Sequence, residues 1–262
     1  TEALLQSLCS MGFAKPLHLL DLDGSIAGTV SGDSEVNFLQ GGYKAYKTWM
    51  NEAYTSGPVI GIIGGKTGSG KTVLLRQLGA MGRQVLDIEA IAKHRGSVFG
   101  GLGSPQPSLE QFEYNLLKVW LSLDSSLPVW IEEKSAVLGK LGIHKNLYRK
   151  MFSAVRFELD QPLESRLQYI NEAYTVTDKR KFMTGIQQLE TRMGFSDNHK
   201  ALHFYVTGQI DNCLRLLLRY YDAAYDYNRT KYNCKLCKAA SPEFFREKTS
   251  ILAMEKLIME TV

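Results

Sequence analysis

The stretch IIGGKTGSGKT, residues 62–72, constrains this chain more than any other part of its sequence. Residues 65–72 match the pattern G-x-x-x-x-G-K-[S/T] without a mismatch, and apolar segments precede and follow it. In a strand–loop–helix unit of this kind, the glycines let successive backbone N–H groups turn toward phosphate oxygens, and the helix adds its positive end. The stretch therefore predicts a phosphate-binding loop (P-loop) and leaves open whose phosphate it binds.

The residue types in the loop suggest individual roles. Lys71 is expected to reach the terminal phosphate, and the hydroxyl of Thr72 to ligate Mg²⁺. The predicted phosphate contacts are Gly65, Gly68, Ser69, Gly70, Lys71 and Thr72.

Composition sets limits on the class of protein. Hydrophobic residues make up 44% of the 262 residues and charged residues 22%, and no apolar run approaches the roughly 20 residues that a membrane span needs. Four cysteines do not form a disulfide framework, which favours a reducing compartment. We therefore expect a cytoplasmic protein that contacts no membrane. The net charge of +4 permits an RNA partner without requiring one.

Strand-like and helix-like segments alternate after residue 57. Residues 84–92, 127–133 and 154–160 have strand patterns, and a helix is predicted over 108–123, where Ser108 and Gln111 form a capping box. The alternation predicts an α/β, P-loop NTPase-like parallel sheet with helices on both faces and ligands at the carboxyl ends of the strands.

Three domains are predicted along the chain. Residues 57–180 form the P-loop domain, and 181–262 a helical C-terminal extension whose last helix opens at 241–242. Residues 1–56 form a separate segment and linker, in which 21–37, rich in Gly, Ser and Asp, is predicted to be a surface insertion.

Acidic residues follow two of the predicted strands. Asp87 and Glu89 end the second strand, and Glu132 and Glu133 end the third. P-loop proteins place a carboxylate that supports Mg²⁺ at such a position. Glu132, with Asp87 as the alternative, is expected to support the metal, although two solvated acids would give the same pattern.

Two further stretches carry basic or thiol groups. KHRGSVFGG, 93–101, places His94, Arg95 and Ser97 on a glycine-rich loop that suits a second anionic group, and an ordinary polar loop is the alternative. In NRTKYNCKLCK, 228–238, the two cysteines have no second pair at metal spacing and are expected to be unligated thiols. Its basic side chains suit either RNA or a solvated turn; they are Arg229, Lys231, Lys235 and Lys238.

Several stretches together resemble the tRNA 2-selenouridine synthase family. They match in order and spacing, and the most specific is VLDIEAIAKHRGSVFG at 85–100. The others are GGYKAYK (41–47), GGKTGSGKT (64–72), QPSLEQFE (106–113), VWIEEKS (129–135) and RYYDAAYDY (219–227).

The resemblance implies a transferase that acts on 2-thiouridine at the wobble position of tRNA. Members join a rhodanese domain, whose loop cysteine handles selenium, to a P-loop domain. The resemblance implies geranylation of the sulfur from geranyl diphosphate, followed by exchange of the geranylthio group for selenium from selenophosphate. The P-loop would then hold a diphosphate with Mg²⁺, and the implied catalytic residues are Lys71, Asp87, His94, Arg95 and Glu132.

This sequence departs from the family pattern in two regions. Residues 1–47 resemble only the last part of a rhodanese domain, without its cysteine loop, so the selenium step is expected to be lost or to use a rhodanese domain in trans. Around the Glu–Ser pair, Lys134 and Ala136 replace a common acidic residue and an arginine, and His144 replaces a common proline. A P-loop kinase or ATPase that binds ATP, and a non-catalytic tRNA-binding partner of a separate rhodanese protein, remain as alternatives.

Overall fold

The structure, a computed structural model, describes residues 17–20, 26–30, 36–39, 42–94, 105–174, 179–231, 237–240, 245 and 247–260. Inter-residue contacts divide the chain into two units, Thr1–Ser56 and Gly57–Val262.

The first unit contains a small mixed sheet and one helix. Strand β1 (Leu17–Leu20) lies between β2 (Ile26–Val30), which is antiparallel to it, and β3 (Val36–Leu39), which is parallel. Helix α1 (Gly42–Ser56) follows. Part of the stretch 21–37, predicted to be a surface insertion, therefore forms strand β2. Its Gly, Ser and Asp residues, which favour turns, stand on either side of a short apolar run in the sequence, so the stretch is not one long loop.

The second unit carries the P-loop. Its elements, in chain order, are β4 (Ile60–Gly65), α2 (Lys71–Ala80), β5 (Val85–Leu86), α3 (Ile88–Ala92), α4 (Leu109–Leu121), β6 (Val129–Glu132), β7 (Val137–Leu138), β8 (Leu141–Gly142), α5 (Lys145–Ser153), β9 (Val155–Leu159), α6 (Leu163–Tyr174), α7 (Lys179–Gln187), α8 (Glu190–Met193), α9 (Phe195–Val206), α10 (Ile210–Lys231), β10 (Cys237–Ala240) and α11 (Lys248–Met259).

Five of these strands form one parallel sheet in the order β10-β9-β4-β6-β5. The strand that leads into the P-loop is central, and every residue of β4, β6 and β9 is buried, as expected for a parallel sheet covered on both faces. The predicted α/β P-loop fold is confirmed. The register pairs Ile63 with Glu132 and Gly65 with Leu159, which brings the ends of three strands to the loop.

Helix α4 forms where its sequence pattern predicts it. The Ser108 side chain accepts a hydrogen bond from the Gln111 N–H at 3.2 Å, and Phe112, Leu116 and Trp120 bury one face. The Gln111 amide donates to Asn115 instead of returning to the cap, so only half of the predicted capping box is made.

The second predicted strand is shorter than its pattern suggests. Strand β5 ends at Leu86, and the Asp87 carboxylate accepts a hydrogen bond from the Ala90 N–H at 2.9 Å. This N-cap favours the start of α3 at this point, because the Asp87 carboxylate gives an acceptor to an N–H of the first helical turn, which has no partner within the helix. Asp87 is therefore a helix cap, and Glu89 lies in the first turn of a helix rather than at a strand end.

The C-terminal part of the chain contributes both helices and sheet. Helices α6 to α10 share a core that includes Leu167, Ile170, Leu214 and Leu217, whereas β10 pairs with β9 at the edge of the P-loop sheet. Helix α11 packs on that sheet, where its Ile251, Met254 and Ile258 belong to one hydrophobic core with Trp130 of β6 and Phe157 of β9. This last helix begins at Lys248, and positions 241–242, where its start was predicted, lie outside the described residues.

No helix in the described residues combines the length and the apolar character that crossing a membrane requires.

Candidate phosphate-binding site

The P-loop runs from the end of β4 into the first turn of α2. Gly65, Gly68 and Gly70 have φ angles of 137°, 81° and 89°, a region that side chains other than glycine adopt only with strain. The Ser69 N–H donates to the Lys66 carbonyl at 3.1 Å, which closes the turn. These local constraints explain why the glycine spacing alone predicted the loop.

Two polar groups inside the loop are arranged for an anion. The Ser69 hydroxyl is buried and has no hydrogen-bond partner among the described residues. The Lys71 ammonium donates to the Gly65 and Lys66 carbonyls. Burial lowers the pKa of Lys71, and the nearby Glu132 carboxylate opposes that shift. An incoming phosphate would give both Ser69 and Lys71 a charged acceptor.

Thr72 connects the loop to the end of β6. Its hydroxyl donates to Glu132 Oε2 at 2.7 Å, and Glu132 Oε1 lies 2.7 Å from the Lys134 ammonium. The same ammonium donates to Glu89 Oε1 at 2.6 Å. Burial raises the pKa of Glu89, while Lys134 acts against the shift. Four side chains from α2, α3 and the end of β6 thus form one buried chain of charge-assisted contacts.

The donor set at Thr72 fits magnesium. A hydroxyl and a carboxylate oxygen stand in contact beside the loop, and Mg²⁺ at such sites uses one or two protein oxygens together with substrate phosphates and water. Among the described residues there is no group of three or more His, Cys, Asp or Glu that could hold a metal by themselves. Thr72 and Glu132 could hold a metal together with a phosphate ligand, because their oxygens meet beside the loop.

Glu133 has a different environment from its neighbour. Its carboxylate forms an ion pair with Arg156 at 2.5 Å and accepts a hydrogen bond from the Tyr225 hydroxyl at 2.8 Å. Only Glu132 of the two makes contact with Thr72 in the described structure. The two adjacent acids thus face different parts of the site, as alternation along a strand requires.

Side chains of helices α10 and α6 contact the first three residues of the P-loop. The Tyr225 hydroxyl accepts from the Gly65 N–H at 2.9 Å, and Asp226 forms an ion pair with Lys66 at 2.9 Å. Arg166 of α6 donates to the Thr67 carbonyl at 3.1 Å and makes a two-pronged pair with Asp222. We name Asp222, Tyr225 and Asp226 together with Arg166 the α10 clamp.

The Tyr225 phenol lies between two carboxylates. Besides Glu133, it contacts Glu158 Oε1 at 2.8 Å. Burial raises the pKa of Tyr225 strongly, and both carboxylates add to the shift. The phenol therefore stays neutral, with one hydrogen to donate and lone pairs that accept from the loop N–H.

Of the remaining predicted catalytic residues, the structure describes Asp87 and His94. Asp87 caps α3, as described above. His94 follows α3 beside the turn at Gly139, where an added Cβ would approach His94 Cδ2 to 2.8 Å, and burial lowers the pKa of His94. Arg95 and Ser97 lie outside the described residues.

The predicted RNA-binding residues are described only in part. Arg229 lies near the end of α10 with 44% of its side chain exposed, 3.8 Å from Glu158. The side chains of Lys231, Lys235 and Lys238 lie outside the described part of the structure, as do those of Cys234 and Cys237. Their role as an RNA contact stays a prediction.

The sequence pattern does not identify the α10 clamp, because Tyr225 lies at core spacing on its helix with Leu214, Leu217 and Tyr221. A signal was present: acidic residues stand at 222 and 226, on the same helix face as the tyrosine. An apolar helix face interrupted by acids indicates a buried polar contact.

The comparisons with known proteins come from both sequence and structure. Residues 58–207 match the family described as the tRNA 2-selenouridine synthase AAA domain. A tRNA 2-selenouridine synthase of Hydrogenovibrio crunogenus is 29% identical over 239 residues, covering 77% of this chain and 64% of the relative. One from Nitrosomonas europaea is 35% identical over 145 residues, covering 53% and 37%.

A third relative and one solved structure complete the comparisons. The tRNA 2-selenouridine synthase of a Sulfurovum species is 30% identical over 178 residues, covering 64% of this chain and 46% of the relative. The chain thus spans less than two thirds of the length of these relatives. A shikimate kinase structure from Acinetobacter baumannii aligns over 80% of this chain and 98% of its own, with a TM-score of 0.37 and 15% identity, a likeness too low to support any inference.

Proposed function

This chain belongs to the tRNA 2-selenouridine synthase AAA domain family, and on that premise we propose that its P-loop binds the diphosphate of geranyl diphosphate. The domain would transfer the geranyl group to the sulfur of 2-thiouridine at the wobble position of a cytoplasmic tRNA. The observation that carries the proposal is the loop itself, whose buried Ser69 hydroxyl lacks a partner among the described residues and whose Lys71 ammonium donates to two loop carbonyls.

The proposed reaction is a substitution at the first carbon of the geranyl group. A lone pair on the thiouridine sulfur forms the new carbon–sulfur bond, and the electrons of the breaking carbon–oxygen bond leave with the diphosphate. The base loses its N3 proton to solvent. Negative charge grows on the leaving diphosphate, where fixed N–H donors and an ammonium stabilise it most effectively.

The chain's own residues would supply most of that stabilisation. Lys71 would exchange the Gly65 and Lys66 carbonyls for phosphate oxygens, and Ser69 would gain an acceptor. Mg²⁺, held by Thr72 and Glu132, would add positive charge at the departing oxygens. The α10 clamp would keep the backbone of the loop in place during the reaction.

The Lys71→Ala variant tests the phosphate role. We expect it to weaken binding of geranyl diphosphate by about 1.5 to 3 kcal/mol, since one charge-assisted hydrogen bond to phosphate is lost. Calorimetric titration of both proteins with geranyl diphosphate and with ATP measures the change. Lys118→Ala, which removes an exposed lysine on α4, is the control and should bind normally. Equal affinities of Lys71→Ala and the unmodified chain would refute the phosphate role.

A product assay tests the whole proposal. Incubation with 2-thiouridine tRNA, Mg²⁺ and geranyl diphosphate should give the geranylated nucleoside, detected by mass spectrometry of digested tRNA. With residues 1–262 alone, selenophosphate should give no selenouridine until a rhodanese domain is supplied in trans, because these residues include no counterpart of the rhodanese cysteine loop. Selenouridine made by this chain alone would contradict that division of the two steps. Absence of either product, with tRNA still bound, would support a non-catalytic role.

A further inference from the structure

Lys134 is a buried ammonium placed between two carboxylates beside the P-loop. Its side chain is 8% exposed, and those of Glu89 and Glu132 are 10% and 7% exposed. The ammonium lies 2.6 Å from Glu89 and 2.7 Å from Glu132. Ion pairs this far from water are weakly screened, so the charge of Lys134 acts strongly on both acids.

Lys134 contacts one of the two residues that could bind the metal, Glu132. Glu132 uses one oxygen for Lys134 and the other for the Thr72 hydroxyl. Lys134 also acts on Lys71, whose pKa is lowered first by burial and then by this second ammonium. The ammonium therefore belongs to the electrostatics of the phosphate site rather than to a distant surface pair.

Counting charges shows what Lys134 changes. In their ionised forms, Glu89 and Glu132 carry two negative charges, and Lys71 and Lys134 carry two positive ones, while the nearby Glu133 is paired with Arg156. Without Lys134 these four side chains would become three with a net negative charge, which would attract a divalent cation before any phosphate arrived. With Lys134 they are neutral together, and a bare divalent ion between Thr72 and Glu132 Oε2 would lie beside an ammonium that already balances the carboxylates.

We propose that Lys134 is a built-in cation that supplies, next to the Thr72–Glu132 position, the positive charge that a resident divalent metal ion would otherwise provide. The site then binds a divalent ion only when phosphate oxygens arrive with it, and it can bind a diphosphate without metal. The proposal rests on the P-loop as a phosphate site, but not on which diphosphate it binds.

Manganese binding to the protein without phosphate tests the proposal through electron paramagnetic resonance of free Mn²⁺. Lys134→Met keeps the length of the side chain and removes its charge, and should bind about one Mn²⁺ per chain at least roughly tenfold more tightly than the unmodified protein. Lys134→Arg keeps the charge and should behave like the unmodified protein. Equal Mn²⁺ affinity of the unmodified protein and Lys134→Met would overturn the proposal, as would Lys134→Arg binding Mn²⁺ as tightly as Lys134→Met.

Pyrophosphate binding to the unmodified protein provides a second test that needs no variant to fold. Calorimetry in excess EDTA and in Mg²⁺ should give affinities within about tenfold, because Lys134 and Lys71 remain as charges near the ligand. Loss of measurable binding in EDTA, with clear binding in Mg²⁺, would overturn the proposal. Absence of pyrophosphate binding under both conditions would count against the phosphate role alone, and the Mn²⁺ titration would still decide the role of Lys134.

Discussion

Arg166→Met is expected to lower the free energy of unfolding by about 3 to 5 kcal/mol, because it leaves a partly buried carboxylate without its partner. The side chains of Arg166 and Asp222 are 6% and 19% exposed, and the guanidinium binds both oxygens of Asp222. The variant also loses the hydrogen bond to the Thr67 carbonyl, so diphosphate binding should weaken as well. Urea unfolding and calorimetric titration measure the two losses.

A second arginine pair between the same two helices provides the control. Arg215 of α10 binds both oxygens of Glu164 of α6, with 43% and 71% of the side chains exposed. Arg215→Met should lower the stability far less than Arg166→Met, since exposed ion pairs contribute little. Similar losses of unfolding free energy in Arg166→Met and Arg215→Met would show that the burial of the Arg166–Asp222 pair does not increase its contribution to stability.

The double replacement Arg166→Met with Asp222→Leu separates stability from positioning. Replacing both members of a buried pair with apolar residues often restores stability. We expect stability to recover and diphosphate binding to remain weak, since Thr67 still lacks its donor. Recovery of both properties would mean that the α10 clamp serves stability alone.

Gly65→Ala is expected to abolish diphosphate binding and to destabilise the protein by about 2 to 4 kcal/mol, through backbone strain and overpacking. Gly65 has a φ of 137°, and an added Cβ would come within 2.7 Å of Ser69 Oγ and 2.8 Å of the Leu159 carbonyl oxygen. That carbonyl belongs to the strand that pairs with Gly65, so it cannot move away without disturbing the sheet.

Gly70→Ala is the matched control within the same loop. Gly70 has a φ of 89°, but an added Cβ would meet nothing within 4 Å. The cost to folding stability should be limited to the strain of a left-handed residue, about 1 to 2 kcal/mol. Denaturant unfolding compares the two variants, and equal losses of stability in both would contradict the role assigned to the space around Gly65.

The parts of the site that sequence predicted are those determined locally. The P-loop depends on glycines within eight consecutive residues, and Glu132 on a short apolar strand that ends in acids. In each case the residues that define the feature are neighbours in the chain. Local spacing fixes the geometry of the P-loop, whereas Glu132 reaches Thr72 through the pairing of β6 with β4.

The parts that sequence did not predict depend on residues far apart in the chain. Tyr225 and Gly65 are separated by 160 residues, and no periodicity in either segment identifies the other as its partner. Strand β10 has four residues at a sheet edge, too few to show a pattern against the helix before it. The apolar run around Asp87 predicted a strand, but the Asp87 carboxylate accepts a hydrogen bond from the Ala90 N–H and caps a helix instead.

The order of strands in the sheet has a consequence for how the protein is made. Strand β4 and the P-loop leave the ribosome well before α10, β10 and α11, yet they depend on those last elements for their support. Trp130 packs against Phe245 as well as Phe157, and Ile258 of α11 packs over Gly61 of β4. A nascent chain therefore exposes the apolar faces of its central strands until synthesis has passed α11, an interval in which chaperones and proteases compete with folding.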